Sequence, residues 1–285
     1  MKKYKNIKKA NLFVVGISKC GSSWLHFYLD SHPDIYMSKQ VELHFFGERY
    51  PDETEDFHRN FPFEKDFKYF GESTPNYFKN PKTAEQIKEY SPDAKIIVIV
   101  RDPIQRLLSR IYFAKQLGNI EEKKTWDEIF ADLHQQPVYD SHFERYLPVF
   151  EKHFGKNNFK IVSLEKAKMD LESFNKELCS YFDLEDKFSA EDLGHRSRNA
   201  TGSKMFRIIY RMTIRPIKLK FPKLYRYLLK NSFMKFTKEF LLKVLGKAKK
   251  EPLSEEIYQK LEKEFLPTYD YLHQKGFKDI YKLNK

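Results

Sequence analysis

Short continuous apolar runs alternate along the chain with segments whose apolar positions recur every three or four residues. Leu12-Phe13-Val14-Val15 is the first run and stops at Gly16. From Ser22 to Ser31 the apolar positions Trp24, Leu25, Tyr28 and Leu29 then follow a helical spacing. Lys95-Ile96-Ile97-Val98-Ile99-Val100 carries five aliphatics in succession, as expected of a parallel strand buried on both faces. Arg101-Asp102-Pro103 closes it, Pro103 suits a first helical turn, and Leu107, Leu108, Ile111 and Tyr112 continue a helical face. Phe159-Lys160-Ile161-Val162-Ser163 is a third strand, and Trp126 to Phe154 before it reads as two helices. From Lys204 onward only helical patterns remain, ending in one from Ser254 to about Lys275 that Pro267 kinks or breaks. The order predicts an α/β fold in three layers, a mainly parallel central sheet with helices on both faces, followed by a helical C-terminal extension. The expected domain division is a core over 1–203 and a basic helical region over 204–285 packing on it.

Composition narrows the class. With 285 residues, 41% hydrophobic and 16% aromatic, and only 10 Gly and 13 Pro, the chain is neither disordered nor collagen-like. No apolar run approaches the ~20 residues that span a bilayer. The basic N-terminus precedes an apolar stretch too short for a signal peptide, and Cys20 and Cys179 show no metal-ligand spacing. A cytoplasmic location, no metal, and a lysine-rich, glycine-poor bacterial type of protein are therefore expected. Most of the 26 Phe and 18 Tyr are expected in the core. The net charge of +12 is concentrated: residues 204 to 250 hold fifteen Lys or Arg and one acid, Glu239, so the rest of the chain is close to neutral.

Gly16-Ile17-Ser18-Lys19-Cys20-Gly21-Ser22-Ser23-Trp24 joins the first strand to the first helix, where backbone N–H groups and the helix dipole favour an anion. Gly16 and Gly21 have the G-x-x-x-x-G spacing of a phosphate-binding loop. The Lys-Ser/Thr pair that should follow Gly21 is absent, however, and the lysine, Lys19, lies inside the loop. This weakens a magnesium-dependent kinase reading. Taken alone, the loop is also compatible with a plain strand-to-helix turn. Ser22 and Ser23 suit either helix capping or phosphate binding. Cys20 reads as a small packing residue, since a C-x5-R phosphatase would need arginine where His26 stands.

Ser18-Lys19-Cys20-Gly21-Ser22-Ser23-Trp24-Leu25 resembles the 5′-phosphosulfate loop of sulfotransferases that use 3′-phosphoadenylyl sulfate (PAPS). The stretch from Ile97 to Ser109 resembles their 3′-phosphate motif, which implies that Arg101 and Ser109 grip that phosphate. Lys39-Gln40-Val41-Glu42-Leu43-His44-Phe45-Phe46 and Gly71-Glu72-Ser73-Thr74-Pro75-Asn76-Tyr77-Phe78 resemble the saccharide-modifying branch. The resemblance implies Glu42 as catalytic base, His44 as either a second acid/base group or a hydrogen-bonded core residue, and Ser73 and Tyr77 in the substrate cleft. Val41 stands where the family often carries lysine, and Ser73 where some members do. Arg198-Asn199-Ala200-Thr201-Gly202-Ser203-Lys204 resembles the late loop over the nucleotide, implying Arg198, Asn199, Thr201, Gly202 and Lys204 as ligands. The resemblance covers roughly residues 11 to 204 and implies a P-loop-like fold.

The implied reaction is metal-independent transfer of a sulfuryl group from PAPS to a hydroxyl or amine of a carbohydrate or glycolipid, with adenosine 3′,5′-bisphosphate (PAP) as product. Lys19 and the loop around Gly21, Ser22 and Ser23 would stabilise the leaving phosphate. The rivals are a nucleotide kinase on the same scaffold and a non-catalytic basic protein that binds polyanions or membranes. For residues 204 to 250, a solvated basic face packed on the core and an anionic membrane surface both remain open; a nucleic-acid partner is not expected.

Overall fold

The computed structural model describes residues 8–189, 252–278 and 280. They divide into two compact units, one of residues 8–106, 140–189 and 266 onward, the other of residues 107–139 and 252–265.

The first unit is built on a five-stranded, all-parallel sheet of order β2-β3-β1-β4-β5. Its strands are β1 (Leu12–Gly16), β2 (Ile35–Met37), β3 (Tyr69–Ser73), β4 (Lys95–Val100) and β5 (Phe159–Ser163). Every residue of β1 and β3 is buried, because strands covered on both faces lose the alternation of an exposed sheet. β1, β4 and β5 lie where their apolar runs predict. β2, three residues long, and β3, interrupted by Gly71 and Glu72, lack such a run.

Helices flank the sheet. α1 (Ser22–Leu29) leads from β1 to β2, α2 (Thr54–His58) and α3 (Pro81–Tyr90) flank β3 in sequence, and α4 (Pro103–Leu117) begins just after β4. Trp24 and Tyr28 of α1 stack at 5.1 Å and rest on Phe174 of α9 (Leu171–Phe182). A second aromatic cluster joins Phe13 of β1, Phe45, Phe46, Phe57 and Tyr90, with Phe45 and Phe57 stacked at 4.2 Å and Phe13 edge-on to Phe46 at 5.4 Å. Among the described residues the aromatics are thus largely core.

The stretch read as two helices between Trp126 and Phe154 is instead broken into α5 (Trp126–Phe130), α6 (Gln136–Tyr139), a 3₁₀ turn (Phe143–Arg145) and α7 (Leu147–Asn158), with a kink at Gly155. Pro137 and Pro148 each take the second position of their helix, so proline starts these segments rather than interrupting longer ones. In the second unit a Thr125–Glu128 capping box starts α5. Lys260, on α10 (Glu255–Glu264), donates to the Phe130 carbonyl at 2.6 Å.

α8 (Leu164–Met169) follows β5. Near the C-terminus Ser254 caps α10, and the helix breaks at Phe265 before α11 (Leu266–Gln274), because the Pro267 ring cannot pass the carbonyl four residues earlier. α11 joins the first unit: Tyr269 donates to Asp102 at 2.8 Å, Thr268 to Glu144 at 2.7 Å, and Lys275 pairs with Glu151. The expected boundary at 203/204 lies outside the described residues.

Candidate active site

β3, β1 and β4 are neighbours, and the segments leaving their C-terminal ends converge on one edge of the sheet, where parallel α/β folds bind ligands. Ile17 N–H donates to the Ile99 carbonyl and Cys20 N–H to the Ile17 carbonyl, which fold residues 17–21 into a tight turn over β4. Gly21 caps α1 with φ 102°, in the left-handed region that favours glycine, and a Cβ there would lie 3.0 Å from Leu164. Neither Ser22 nor Ser23 is therefore the cap. They occupy the first helical positions, and the first turn carries no side-chain cap, an arrangement suited to an anion. Cys20 is buried, and burial pushes its thiol up to about 12, so it packs as an inert thiol. Trp24 is taken up with Tyr28 and Phe174.

Arg106 holds this loop from beneath. Fully buried, it donates from Nε to the Ser18 carbonyl at 3.1 Å and from Nη1 to Ser141 Oγ at 3.0 Å, while Nη2 lies 3.4 Å from Asp140. Lys79 pairs with the same Asp140 carboxylate. Arg101 leaves the end of β4 with its Nε buried and without a hydrogen-bond partner, 3.9 Å from Glu165. Lys168 on α8 is held below the ordinary lysine range, first by desolvation and then by the Arg101 charge. An arginine edge lacking a hydrogen-bond partner, beside a second cation, fits an anionic group. Asp102 caps α4 through Gln105 N–H at 2.7 Å, and burial pushes it up to about 6. Ser109 is the seventh residue of α4 and half-buried.

Glu42 and His44 lie in an irregular segment after β2, and Glu42 does not begin a helix. Their side chains face each other, His44 Nε2 to Glu42 Oε2 at 3.6 Å, and each is partly exposed. Among the described residues four non-glycines have positive φ: Lys19 (74°), Glu42 (61°), His44 (52°) and Asp183 (52°). Three of the four are the residues predicted to be catalytic. Such conformations disfavour side chains and persist where surrounding contacts enforce them, most often at functional sites.

Ser73 and Tyr77, expected at the cleft, are both buried. Tyr77 accepts the N–H groups of Phe45 and Phe46, and Ser73 Oγ has no hydrogen-bond partner. Arg198, Asn199, Thr201, Gly202 and Lys204 lie outside the described residues. Sequence reasoning missed Arg106, Asp140, Lys168 and the buried Glu72. Arginine among Ile104, Leu107 and Leu108 was the available signal for Arg106, whereas Glu72, between Gly71 and Ser73, offered none.

A parallel sheet of this order, with a tight glycine-flanked loop leading from β1 into α1, places the chain among P-loop-like α/β proteins. Residues 9–273 match the sulfotransferase domain family, and the chain belongs to that family. It is similar to the membrane-associated sulfotransferase kil1 of Dictyostelium discoideum, 34% identical over 109 residues, 37% of this chain and 23% of that protein. It is also similar to heparan sulfate glucosamine 3-O-sulfotransferase 6 of Homo sapiens, 29% identical over 173 residues, 55% of this chain and 47% of that protein. The chain thus spans less than half the length of these curated relatives. Among solved structures, a sulfotransferase from Alicyclobacillus acidocaldarius superimposes with a TM-score of 0.53 at 25% identity, over 64% of this chain and 84% of that one.

Proposed function

We propose that this chain transfers a sulfuryl group from PAPS to a hydroxyl or amine of a carbohydrate or glycolipid acceptor and releases PAP. The carrying observation is the coincidence of left-handed backbone at Lys19, Glu42 and His44 on one sheet edge, with Arg101 just past the end of β4. In this reading Lys19 and the first turn of α1 hold the 5′-phosphosulfate and offset charge developing on the leaving phosphate. Arg101, Lys168 and Ser109 hold the 3′-phosphate, with the stretch 198–204 completing the nucleotide site. Glu42 takes the acceptor proton, and His44, 3.6 Å away, orients its carboxylate. Tyr77, buried, supports the acceptor side indirectly by accepting the N–H groups of Phe45 and Phe46, and Ser73 is buried as well. The sulfur–oxygen bond to PAP breaks as the acceptor oxygen or nitrogen bonds to sulfur, so nothing is oxidised or reduced.

Likeness to a heparan sulfate sulfotransferase supports a glycan acceptor. The test is incubation with sulfur-labelled PAPS and a panel including N-sulfated heparosan, other bacterial glycans and glycolipids. Label in a carbohydrate, dependent on Lys19 and Glu42, is expected. PAP release without transfer to any acceptor, or ATP turnover requiring magnesium, would overturn the reading.

A further inference from the structure

The Glu42-to-Phe46 segment has no regular secondary structure, yet each of its five N–H groups is satisfied, and always by residues 72 to 77. Glu42 N–H donates to the Ser73 carbonyl at 2.9 Å, and Leu43 N–H to the Glu72 carboxylate. His44 N–H donates to Thr74 Oγ1 at 3.2 Å, and Phe45 and Phe46 N–H donate to the Tyr77 hydroxyl at 2.8 and 3.1 Å. The two hydroxyls that receive these amides donate in turn to one group: Thr74 to Glu72 Oε2 at 2.9 Å, and Tyr77 to the same carboxyl. Glu72 is wholly buried at the end of β3, next to β1, and its other oxygen, Oε1, has no hydrogen-bond partner.

A buried carboxyl is costly unless its hydrogen bonds compensate. Here it fixes the direction of two hydroxyl protons, turning both oxygens toward the N–H groups of residues 44 to 46. Donors and acceptors in such a chain strengthen one another in a low-dielectric interior. The backbone so held includes His44 at positive φ, and Glu42 next to Leu43. From this geometry we infer that Glu72 is a positioning residue, whose carboxyl, through Thr74, Tyr77 and the Leu43 amide, holds the segment presenting Glu42 and His44 in its reactive shape. The inference rests on the sulfotransferase reading of Glu42. It concerns a residue that does not touch the reacting groups.

Glutamine at position 72 keeps an acceptor oxygen toward Thr74 and Tyr77 and puts its amide toward the unpartnered side; leucine removes the acceptor. The experiment compares the full chain with Glu72→Leu and Glu72→Gln. It reads amide hydrogen exchange at residues 42 to 46, PAP affinity, and kcat and KM for PAPS with N-sulfated heparosan. In Glu72→Leu, exchange at residues 43 to 46 should accelerate about tenfold or more relative to the sheet amides. PAP affinity should stay within about twofold, and kcat should fall about tenfold or more with little change in KM for PAPS. Glu72→Gln should recover most of both losses. Unchanged exchange at 43 to 46 in Glu72→Leu, or a uniform rise across the sheet with parallel loss of PAP binding, overturns the inference. If Glu72→Leu does not fold, Thr74→Val and Tyr77→Phe serve instead, the first expected to expose the His44 amide and the second those of Phe45 and Phe46. If the wild type sulfates no acceptor, the functional reading fails, while the exchange measurement still decides whether Glu72 holds the segment.

Discussion

Replacing Arg106 by methionine tests whether the loop carrying Lys19 depends on a buried guanidinium. Methionine keeps much of the unbranched stem and removes every donor, so the Ser18 carbonyl, Ser141 Oγ and Asp140 each lose a partner. Asp140 keeps Lys79, so no carboxylate is left wholly unpaired. The expected cost is thus set by broken charge-assisted hydrogen bonds at a site with no solvent exposure, about 3 to 5 kcal/mol. For a chain of this size that is a fall in Tm of roughly 6 to 20 °C. Arg106→Lys should recover only part, because one ammonium cannot reproduce a fork that reaches three acceptors. The assay is urea unfolding with and without PAP, together with calorimetric PAP binding. Since Ser18 precedes Lys19, PAP affinity should fall about tenfold even where the variant is fully folded. A stability loss under about 1 kcal/mol, or equal losses for methionine and lysine, would refute the view that the guanidinium braces the loop.

Arg101→Ala should weaken PAP binding about tenfold to a hundredfold, the worth of a charge-assisted contact, and leave 5′-AMP binding unchanged; calorimetry with both nucleotides decides it. Glu42→Gln should lower kcat roughly a hundredfold to ten-thousandfold with PAP affinity intact, whereas Lys19→Ala should impair both, and wild-type turnover in Glu42→Gln would move the base to His44. Burial lifts Glu72 from its ordinary 4.5 to about 7, so the folded state holds its proton more tightly than the unfolded chain. The resulting stability is full below pH 4.5 and is lost as pH rises through 7, on the order of 3 kcal/mol, so urea midpoints of wild type relative to Glu72→Gln should decline over that window. The charge of residues 204 to 250 predicts sedimentation with phosphatidylglycerol vesicles at low salt and release at high salt; absence of low-salt binding would exclude a membrane role for the segment.

The parts of the fold legible in the sequence were those with local, continuous signals. Leu12 to Val15 and Ile96 to Val100 are apolar runs buried on both faces, and Phe159 to Ser163 keeps three apolar residues in five. Ile35–Met37 is too short for any periodicity, and Tyr69–Ser73 ends in a buried glutamate and serine that look like surface residues. Lys19, Glu42 and His44 stand out in the sequence because motif signals are local, and the structure gives all three left-handed backbone. The network beneath them was not: Arg106 reaches Ser18 across 88 residues and Asp140 across 34, and only the closed sheet brings them together. Serine beside a helix start suggested a cap, but a left-handed glycine took that place because Leu164 leaves no room for a side chain.

The hydrogen bond from Tyr269 to Asp102 has a consequence for biosynthesis. Asp102 caps the helix after β4, yet its buried Oδ2 receives that donor from a residue 167 positions later. At ~5–20 residues per second a ribosome needs on the order of ten seconds or more between the two. During that interval the nascent sheet can pair its strands while this carboxylate waits for its partner, with water in the place of α11. Completion of the C-terminal end of β4 is therefore a late event in synthesis, and premature termination before Tyr269 releases chains whose sheet has formed around an unsealed Asp102.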